Sequence, residues 1–291
     1  MKPVAFELEI PRTLEEALAT MADTSREVKP LAGGQSLVPL LNFRLARPDV
    51  LVDLNRVSDL QYVRSENGHL AIGAMTRQRT LERSTDVTRT VPLVAEVLPW
   101  VGHGAIRNRG TLGGSLAHAD SAAELCAAAL ALDASVVLRS VRGARTISIG
   151  EFFVGPFTTA LERDELLVEV RIPAIPRGTG WAFEEVARRR GDFAMVAVAA
   201  LLTLSDSTIA SARLAYLSMG PTPLRAPAAE KWLTGQTADA DTFARAAEMA
   251  MSELQPHDDL HASREYRLHV GQALTRRALA RALRRIKERD A

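Results

Sequence analysis

Two glycine pairs constrain this chain more than any other feature. Gly33-Gly34 lies in "LAGGQSLVPLL" and Gly113-Gly114 in "IRNRGTLGGSLAHADSAAE", and each pair opens onto a segment that looks helical. Glycine costs conformational entropy, so it belongs where the backbone must take positive φ or come close to something else. The N–H groups at a helix start lack intrahelical partners and carry partial positive charge, which suits them to a phosphate. Taken alone, the first loop also reads as a tight strand-to-helix turn capped by Ser36. It matches neither G-x-G-x-x-G nor G-x-x-x-x-G-K-[ST], so neither a nicotinamide-type Rossmann site nor a P-loop is indicated. The second loop shifts the balance, because two such cradles can clasp a diphosphate from both sides. Asp120 and Glu124 follow it as a helix begins, and a carboxylate there accepts from a sugar hydroxyl. The plainer alternative makes Asp120 a helix cap and leaves Glu124 solvated in the first turn.

Around these loops, the pattern in the first half alternates short strands with helices. Thr13 is placed to cap an amphipathic helix with Leu14, Ala17, Leu18 and Met21 on one face. "EVKPL", "DVLVDL", "HLAIGA" and "ELLVEVRIP" read as strands, and Asn67-Gly68 is a hairpin signal. Helices are expected over 36–45, 92–100 and 119–132, and "ASVVLRSVRGARTISI" is a hairpin turning near Arg142-Gly143. Pro173, Pro176, Gly178 and Gly180 then mark a domain boundary. Beyond it, strands are expected over 181–188, 194–204 and 208–218, followed by helices over 224–234, 240–253 and 264–288. The second domain is therefore α+β.

A chain of 291 residues has room for about two such domains. With 36 basic against 35 acidic residues, nothing marks it as a nucleic-acid or membrane-surface binder. Its single cysteine, Cys126, excludes an internal disulfide and a cysteine-rich metal or iron–sulfur site; a buried apolar role is expected for it. The start "MKPVAFELEIPRTLEEAL" has no apolar signal core, and the longest apolar run, Phe193 to Leu204, is too short to cross a bilayer. The expectation is a cytoplasmic protein with no transmembrane segment.

"LAGGQSLVPLLNFRLARPDVLVDLNRV" and "IRNRGTLGGSLAHADSAAE", with "FFVGPFTTALERDELLVEVRIP", "FEEVARRRGDFAMVAVA" and "SREYRLHVGQALTRRAL", resemble the flavoprotein medium subunit of molybdenum hydroxylases. That group includes xanthine dehydrogenase and carbon monoxide dehydrogenase. The resemblance covers essentially the whole chain. It implies an α+β protein with a PCMH/vanillyl-alcohol-oxidase-type FAD domain over 1–175, built of subdomains at about 1–56 and 57–175. A C-terminal domain of antiparallel sheet plus helices, of the CO dehydrogenase flavoprotein type, follows over 178–288. It also implies FAD on this chain, [2Fe-2S] clusters on a small subunit, a molybdopterin cofactor on a large subunit, and a dimer of heterotrimers.

Carried across by position, the resemblance places one diphosphate loop on Ala32, Gly33, Gly34, Gln35 and Ser36. The other falls on Thr111, Leu112, Gly113, Gly114 and Ser115; Asp120, which follows it, stays a candidate from the residues alone, as helix cap or ligand. The ribose-binding acid falls on Glu124, and flavin neighbours fall on Val101, Leu167 and Phe193. A basic FAD contact of some relatives falls near Glu184 and Glu185, where this chain is acidic.

No catalytic or metal residue is expected. His103 and His118 flank the second loop without a partner spaced for a triad or a metal site, so structural or flavin-edge roles are preferred. Arg107 and Arg109 read either as contacts to phosphate or a partner's acidic rim, or as a solvated loop. "ARRRGD" reads as a surface or subunit contact. Leu274, Ala278, Leu279, Ala282, Leu283 and Ile286 predict an amphipathic helix packed on the second domain, with a membrane-surface helix as the minor alternative. The expected function is electron transfer from a partner's clusters through FAD to an external acceptor. A stand-alone FAD-dependent oxidase or reductase of the same domain type is the alternative, and it would need acid and base groups beside the flavin.

Overall fold

A capping box starts the first helix. The Thr13 hydroxyl accepts the Glu16 N–H at 3.2 Å, and the Glu16 carboxylate accepts the Thr13 N–H at 3.4 Å. The helix that follows, α1 (Leu14–Met21), buries Leu14, Ala17, Leu18 and Met21, the face its spacing predicts. It packs on a parallel sheet ordered β1–β3–β2, made of β1 (Glu7–Glu9), β2 (Val28–Leu31) and β3 (Val50–Asp53). Val50, Leu51 and Val52 are all buried, as expected of a central parallel strand covered on both faces. Parallel neighbours need a crossover, and α2 (Leu37–Asn42) supplies it between β2 and β3. This leaves the first glycine loop at the C-terminal end of β2. The structure, a computed structural model, describes residues 2–290.

The second subdomain is an antiparallel sheet ordered β4–β5–β10–β6–β7, from β4 (Val63–Glu66), β5 (His69–Gly73), β6 (Ser135–Ser140), β7 (Gly143–Ser148) and β10 (Leu166–Pro173). A small hairpin, β8 (Phe153–Gly155) and β9 (Thr158–Thr159), lies apart from it. Asn67 and Gly68 turn the β4–β5 hairpin with φ of 45° and 81°, the two left-handed positions of a type I′ turn. Six helices fill the connection from β5 to β6: α3 (Gln78–Glu82), α4 (Thr85–Thr90), α5 (Pro92–Val97), α6 (Gly104–Arg109), α7 (Leu112–His118) and α8 (Glu124–Ala131). A short α9 (Ile149–Phe152) follows β7.

One expected helix is two. Instead of running over 119–132, the chain ends α7 at Ala119, in the left-handed conformation with φ 51°, and begins again at Glu124. The Asp120 carboxylate accepts the Ala122 N–H at 2.9 Å, a local turn that competes with helix. All eight residues of α8 are buried, so its alanine-rich sequence carries no amphipathic signal to mark its ends.

In the C-terminal domain, β11 (Thr179–Val186), β12 (Val196–Ser205), β13 (Thr208–Leu217) and β14 (Leu224–Arg225) form an antiparallel sheet in chain order. Helices α10 (Pro227–Leu233), α11 (Ala240–Glu253) and α12 (Arg264–Asp290) follow. The helix expected from residue 224 starts three residues later, because Leu224 and Arg225 pair with β13 and Pro227 takes the first helical turn.

Both faces of this sheet are covered, which explains the unbroken apolar run in β12. Val196, Val198, Ala200 and Leu202 face the C-terminal helices, where Leu274, Ala278, Leu279, Ala282 and Ile286 of α12 are buried. That face of α12 is taken by the sheet, so the membrane-surface alternative is set aside. Ala197 and Ala199, with Phe183, Ala215 and Leu217, instead join the core of the first domain. The two domains thus meet across a packed seam.

Candidate cofactor site

β2 brings the chain to Ala32, and the backbone turns through Gly33 and Gly34 before α2. Gly34 has φ +72°, which a residue with a side chain resists. A Cβ at Gly33 would lie 2.5 Å from the Arg109 carbonyl oxygen, and one at Gly114 would lie 3.2 Å from the Ala32 Cβ. The two loops, remote in sequence, therefore touch through their glycines. Arg77 fastens them: its guanidinium donates to the Arg109 carbonyl and to Asn55 Oδ1, while Asn55 Nδ2 donates to the Ala32 carbonyl at 3.1 Å. Neither Arg77 nor Asn55 stands out in the sequence, because each acts on backbone contributed by another segment.

The hydrogen-bond donors divide unequally between the loops. The Leu112 and Gly113 N–H groups donate to the Thr76 and Ala74 carbonyls at 3.1 and 2.9 Å. Gly114 N–H donates to Thr111 Oγ1 at 3.0 Å, and Ser115 N–H to the Thr111 carbonyl at 3.1 Å. The second loop's amides thus hold the loop itself. In the first loop, the N–H groups of Gly33, Gly34, Gln35 and Ser36 have no partner among the described residues. Ser36 makes no side-chain cap bond, so the ordinary capped turn is not what forms. Gly33, Gly34 and Gln35 line a cleft of about 360 Å³ with Leu31, Val38, Pro39, Ile106 and Arg109.

Acidic groups stand beyond the second loop. Glu124 is 6% exposed, so the reading that left it solvated is overturned. Burial, reinforced by Asp120 and opposed by Arg107, pushes its carboxyl up to about 7. Asp120 is not the helix cap, a position Ala123 occupies; its carboxylate holds the preceding turn.

Of the other expected neighbours, Val101 and Leu167 are buried in the first domain's core, Leu167 within β10, while Phe193 is 71% exposed. The loop carrying Phe193 rests beside Val101. A Cβ at Gly191 would lie 2.7 Å from the Gly102 carbonyl oxygen, and the Arg190 guanidinium lies over the Trp100 ring at 5.5 Å. Arg189 pairs with Asp192 at 3.0 Å, so part of the basic cluster is neutralised within itself.

Arg107 departs from both readings made for it. It is buried, with Nε donating to Glu82 at 3.0 Å and a terminal nitrogen donating to the Val101 carbonyl at 3.0 Å, so it braces α6 rather than meeting a ligand or solvent. Arg109 is exposed, and it serves the loop through its carbonyl. His103 is exposed at the start of α6, and His118 packs on the Phe157 ring at 5.1 Å with its pKa lowered by burial. Cys126 is buried, and its thiol donates to the Ser115 carbonyl at 3.7 Å.

Strand alternation separates the adjacent acids of β11. Glu184 faces α12 and pairs with Arg277 at 2.8 Å and Arg281 at 3.2 Å. Glu185 faces the domain seam, where neither carboxylate oxygen has a partner among the described residues.

An open amide cradle against a second glycine loop, with a buried acid beyond, sits on a two-subdomain α+β scaffold followed by an antiparallel sheet backed by helices. That combination suits a protein that holds a diphosphate-bearing cofactor. The family model described as FAD binding domain in molybdopterin dehydrogenase matches residues 4–175, and the CO dehydrogenase flavoprotein C-terminal domain matches residues 181–282. The chain belongs to this family, the FAD-binding medium subunits of molybdenum hydroxylase complexes. It is 45% identical to caffeine dehydrogenase subunit beta of Pseudomonas sp. (strain CBB1), over 100% of this chain and 99% of the relative. It is 43% identical to 6-hydroxypseudooxynicotine dehydrogenase complex subunit alpha of Paenarthrobacter nicotinovorans, over 98% of this chain and 97% of the relative. A chain of carbon monoxide dehydrogenase from Hydrogenophaga pseudoflava superposes with a TM-score of 0.95 at 37% identity, covering 98% of this chain and 99% of that one.

Proposed function

We propose that this subunit carries electrons within a heterotrimeric molybdenum hydroxylase, from the [2Fe-2S] clusters of a small subunit through FAD to an external acceptor. A large subunit with the molybdopterin cofactor meets the organic substrate. The observation that carries this reading is the set of partnerless N–H groups from Gly33 to Ser36, packed against the glycines of the second loop. Four N–H donors in a loop that two glycines open suit a diphosphate. FAD, once bound, accepts electrons singly and releases them in pairs, which joins one-electron clusters to a two-electron acceptor.

The chain's own groups have simpler tasks. Ala32 to Ser36 hold the diphosphate, and Thr111 to Ser115 close the other side with the Thr111 and Ser115 hydroxyls. Glu124 accepts from the adenosine ribose. Val101, Leu167 and the exposed Phe193 ring border the flavin. The single cysteine leaves no means of ligating a cluster here, which takes four protein ligands. Among the described residues no group of three or more His, Cys, Asp or Glu is placed to hold a metal. Electrons therefore arrive from another polypeptide, across an interface expected to bury more than about 1,000 Å². No helix among the described residues is long and apolar enough to cross a membrane.

The test is reconstitution. The purified chain should show flavin absorption at about 370 and 450 nm, and it should pass electrons from an artificial donor. Substrate oxidation should appear only when both partner subunits are added. Full turnover by this chain alone would overturn the subunit reading in favour of a stand-alone oxidase.

A further inference from the structure

Glu185 is 8% exposed, lies in the row of β11 that faces the FAD-type domain, and leaves both carboxylate oxygens without a partner. Its cross-strand neighbour is Ala197, itself opposite Leu217, and neither can pair with it. Phe183, in the same row, is packed into the core shared with α8, whose first residue is Glu124. The Ser218 N–H at the end of β13 donates to the Ser121 carbonyl at 2.9 Å, fixing the turn before α8 against this end of the sheet. Two buried carboxyl groups, one from each domain, are thereby brought to one place in the seam. A buried polar group with no partner is destabilising and rare in folded proteins, so one that persists calls for a partner outside the chain.

We propose that Glu185 is a second ribose-binding acid, supplied by the C-terminal domain, and that it acts in its neutral form by donating its proton to a sugar hydroxyl of FAD that Glu124 accepts from. This rests on the FAD reading given above. A hydroxyl group both donates and accepts, so a charged and a neutral carboxyl together satisfy a ribose more completely than two charged ones. Burial first, and the Glu124 charge second, push the Glu185 carboxyl up to about 8, so the neutral form is available at neutral pH. The other charged groups about the pair are Asp120, which disfavours ionisation of Glu124, and Arg107, which favours it. β12 and β13 present only Ala197 and Leu217 on this face beside Glu185. Such a pair titrates as a unit. Once both acids ionise, the donor is lost and two like charges face an anionic cofactor.

FAD and FMN dissociation constants of the deflavinated full chain, measured by fluorescence from pH 6 to 9, test this together with the unfolding midpoint of the cofactor-free protein. Wild type should bind FAD several-fold more weakly at pH 9 than at pH 6. Glu185→Gln, neutral at every pH and still a donor, should keep the low-pH affinity and bind FAD more tightly than wild type at pH 9, leaving only the titration of Glu124. Glu185→Leu should bind FAD about fivefold to tenfold more weakly, leave FMN unchanged, and raise the cofactor-free unfolding midpoint, because it removes an unsatisfied buried carboxyl. Wild-type FAD affinity in Glu185→Leu, equal weakening of FMN, or a lowered midpoint in that variant would each overturn the proposal. Absence of FAD binding by the wild-type chain would instead sink the cofactor reading on which it rests.

Discussion

At the scale of single residues, the site depends on what two positions lack and on what a third buries. Gly34 sits at φ +72° with Val38 Cγ2 3.1 Å from where its Cβ would be, so Gly34→Val meets both backbone strain and a crowded neighbour. Gly114→Val would press on Thr111 Oγ1, 2.7 Å from the new Cβ, and displace the hydroxyl that starts α7. Both variants are expected to fold and to lose FAD; the ratio of flavin to protein absorbance checks this, and full flavin content in both would make the loops ordinary turns. Glu124→Ala removes an acceptor 6% exposed in the wild type. It should weaken FAD by about 1–3 kcal/mol and FMN much less, since FMN has no adenosine ribose. Titration calorimetry with the two flavins separates the cases, and equal losses would take Glu124 off the ribose.

At the scale of elements, α5 and α12 are tied by charge across the seam. The Glu96 carboxylate, on α5, accepts from Arg281 at 3.0 Å and from Arg285, and also accepts the Phe183 N–H of β11 at 3.3 Å. Glu96→Ala leaves two guanidinium groups and a backbone donor short of a partner. The expected loss is about 1.5–3 kcal/mol in urea unfolding, and a loss below a few tenths would show that the arginines find other acceptors. The elements involved differ in how legible they were. α12 could be read because Leu274, Ala278, Leu279, Ala282 and Ile286 repeat at helical spacing on one buried face. β12 could be read as a strand, yet its two-sided burial became clear only once α12 and α8 covered it. The break at Ala119 escaped because Asp120 acts through one local hydrogen bond in an alanine-rich stretch that has no polar face. In the cradle, the glycines announced close approach. Which loop keeps free amides depended on Thr76 and Ala74, contributed by the loop after β5, and no spacing within either motif encodes them.

At the scale of the whole molecule, stability should peak in mildly acid solution, because two sets of carboxyl groups pull in opposite directions. Glu165, held below its ordinary range by hydrogen bonds from Arg145, and Asp239, held down by the Thr242 N–H at the start of α11, both favour the folded state when ionised. Their stabilisation is present above the ordinary carboxyl pKa of about 4 and is lost as pH falls through their lowered values. Glu124 and Glu185 behave in the reverse sense, since burial raises them to about 7 and about 8. The folded chain then binds protons more tightly than the unfolded one. Their contribution is complete below about pH 4 and declines as pH rises toward the folded values. For the cofactor-free protein, the free energy of unfolding in urea should therefore fall on both sides of a maximum near pH 5. Glu124→Gln with Glu185→Gln cannot ionise at either position, so it should flatten the alkaline limb between pH 5 and 8 and leave the acid limb in place. An alkaline limb as steep in the double variant as in the wild type would place its origin outside this pair, and an acid limb lost along with it would mean that the seam governs unfolding at every pH.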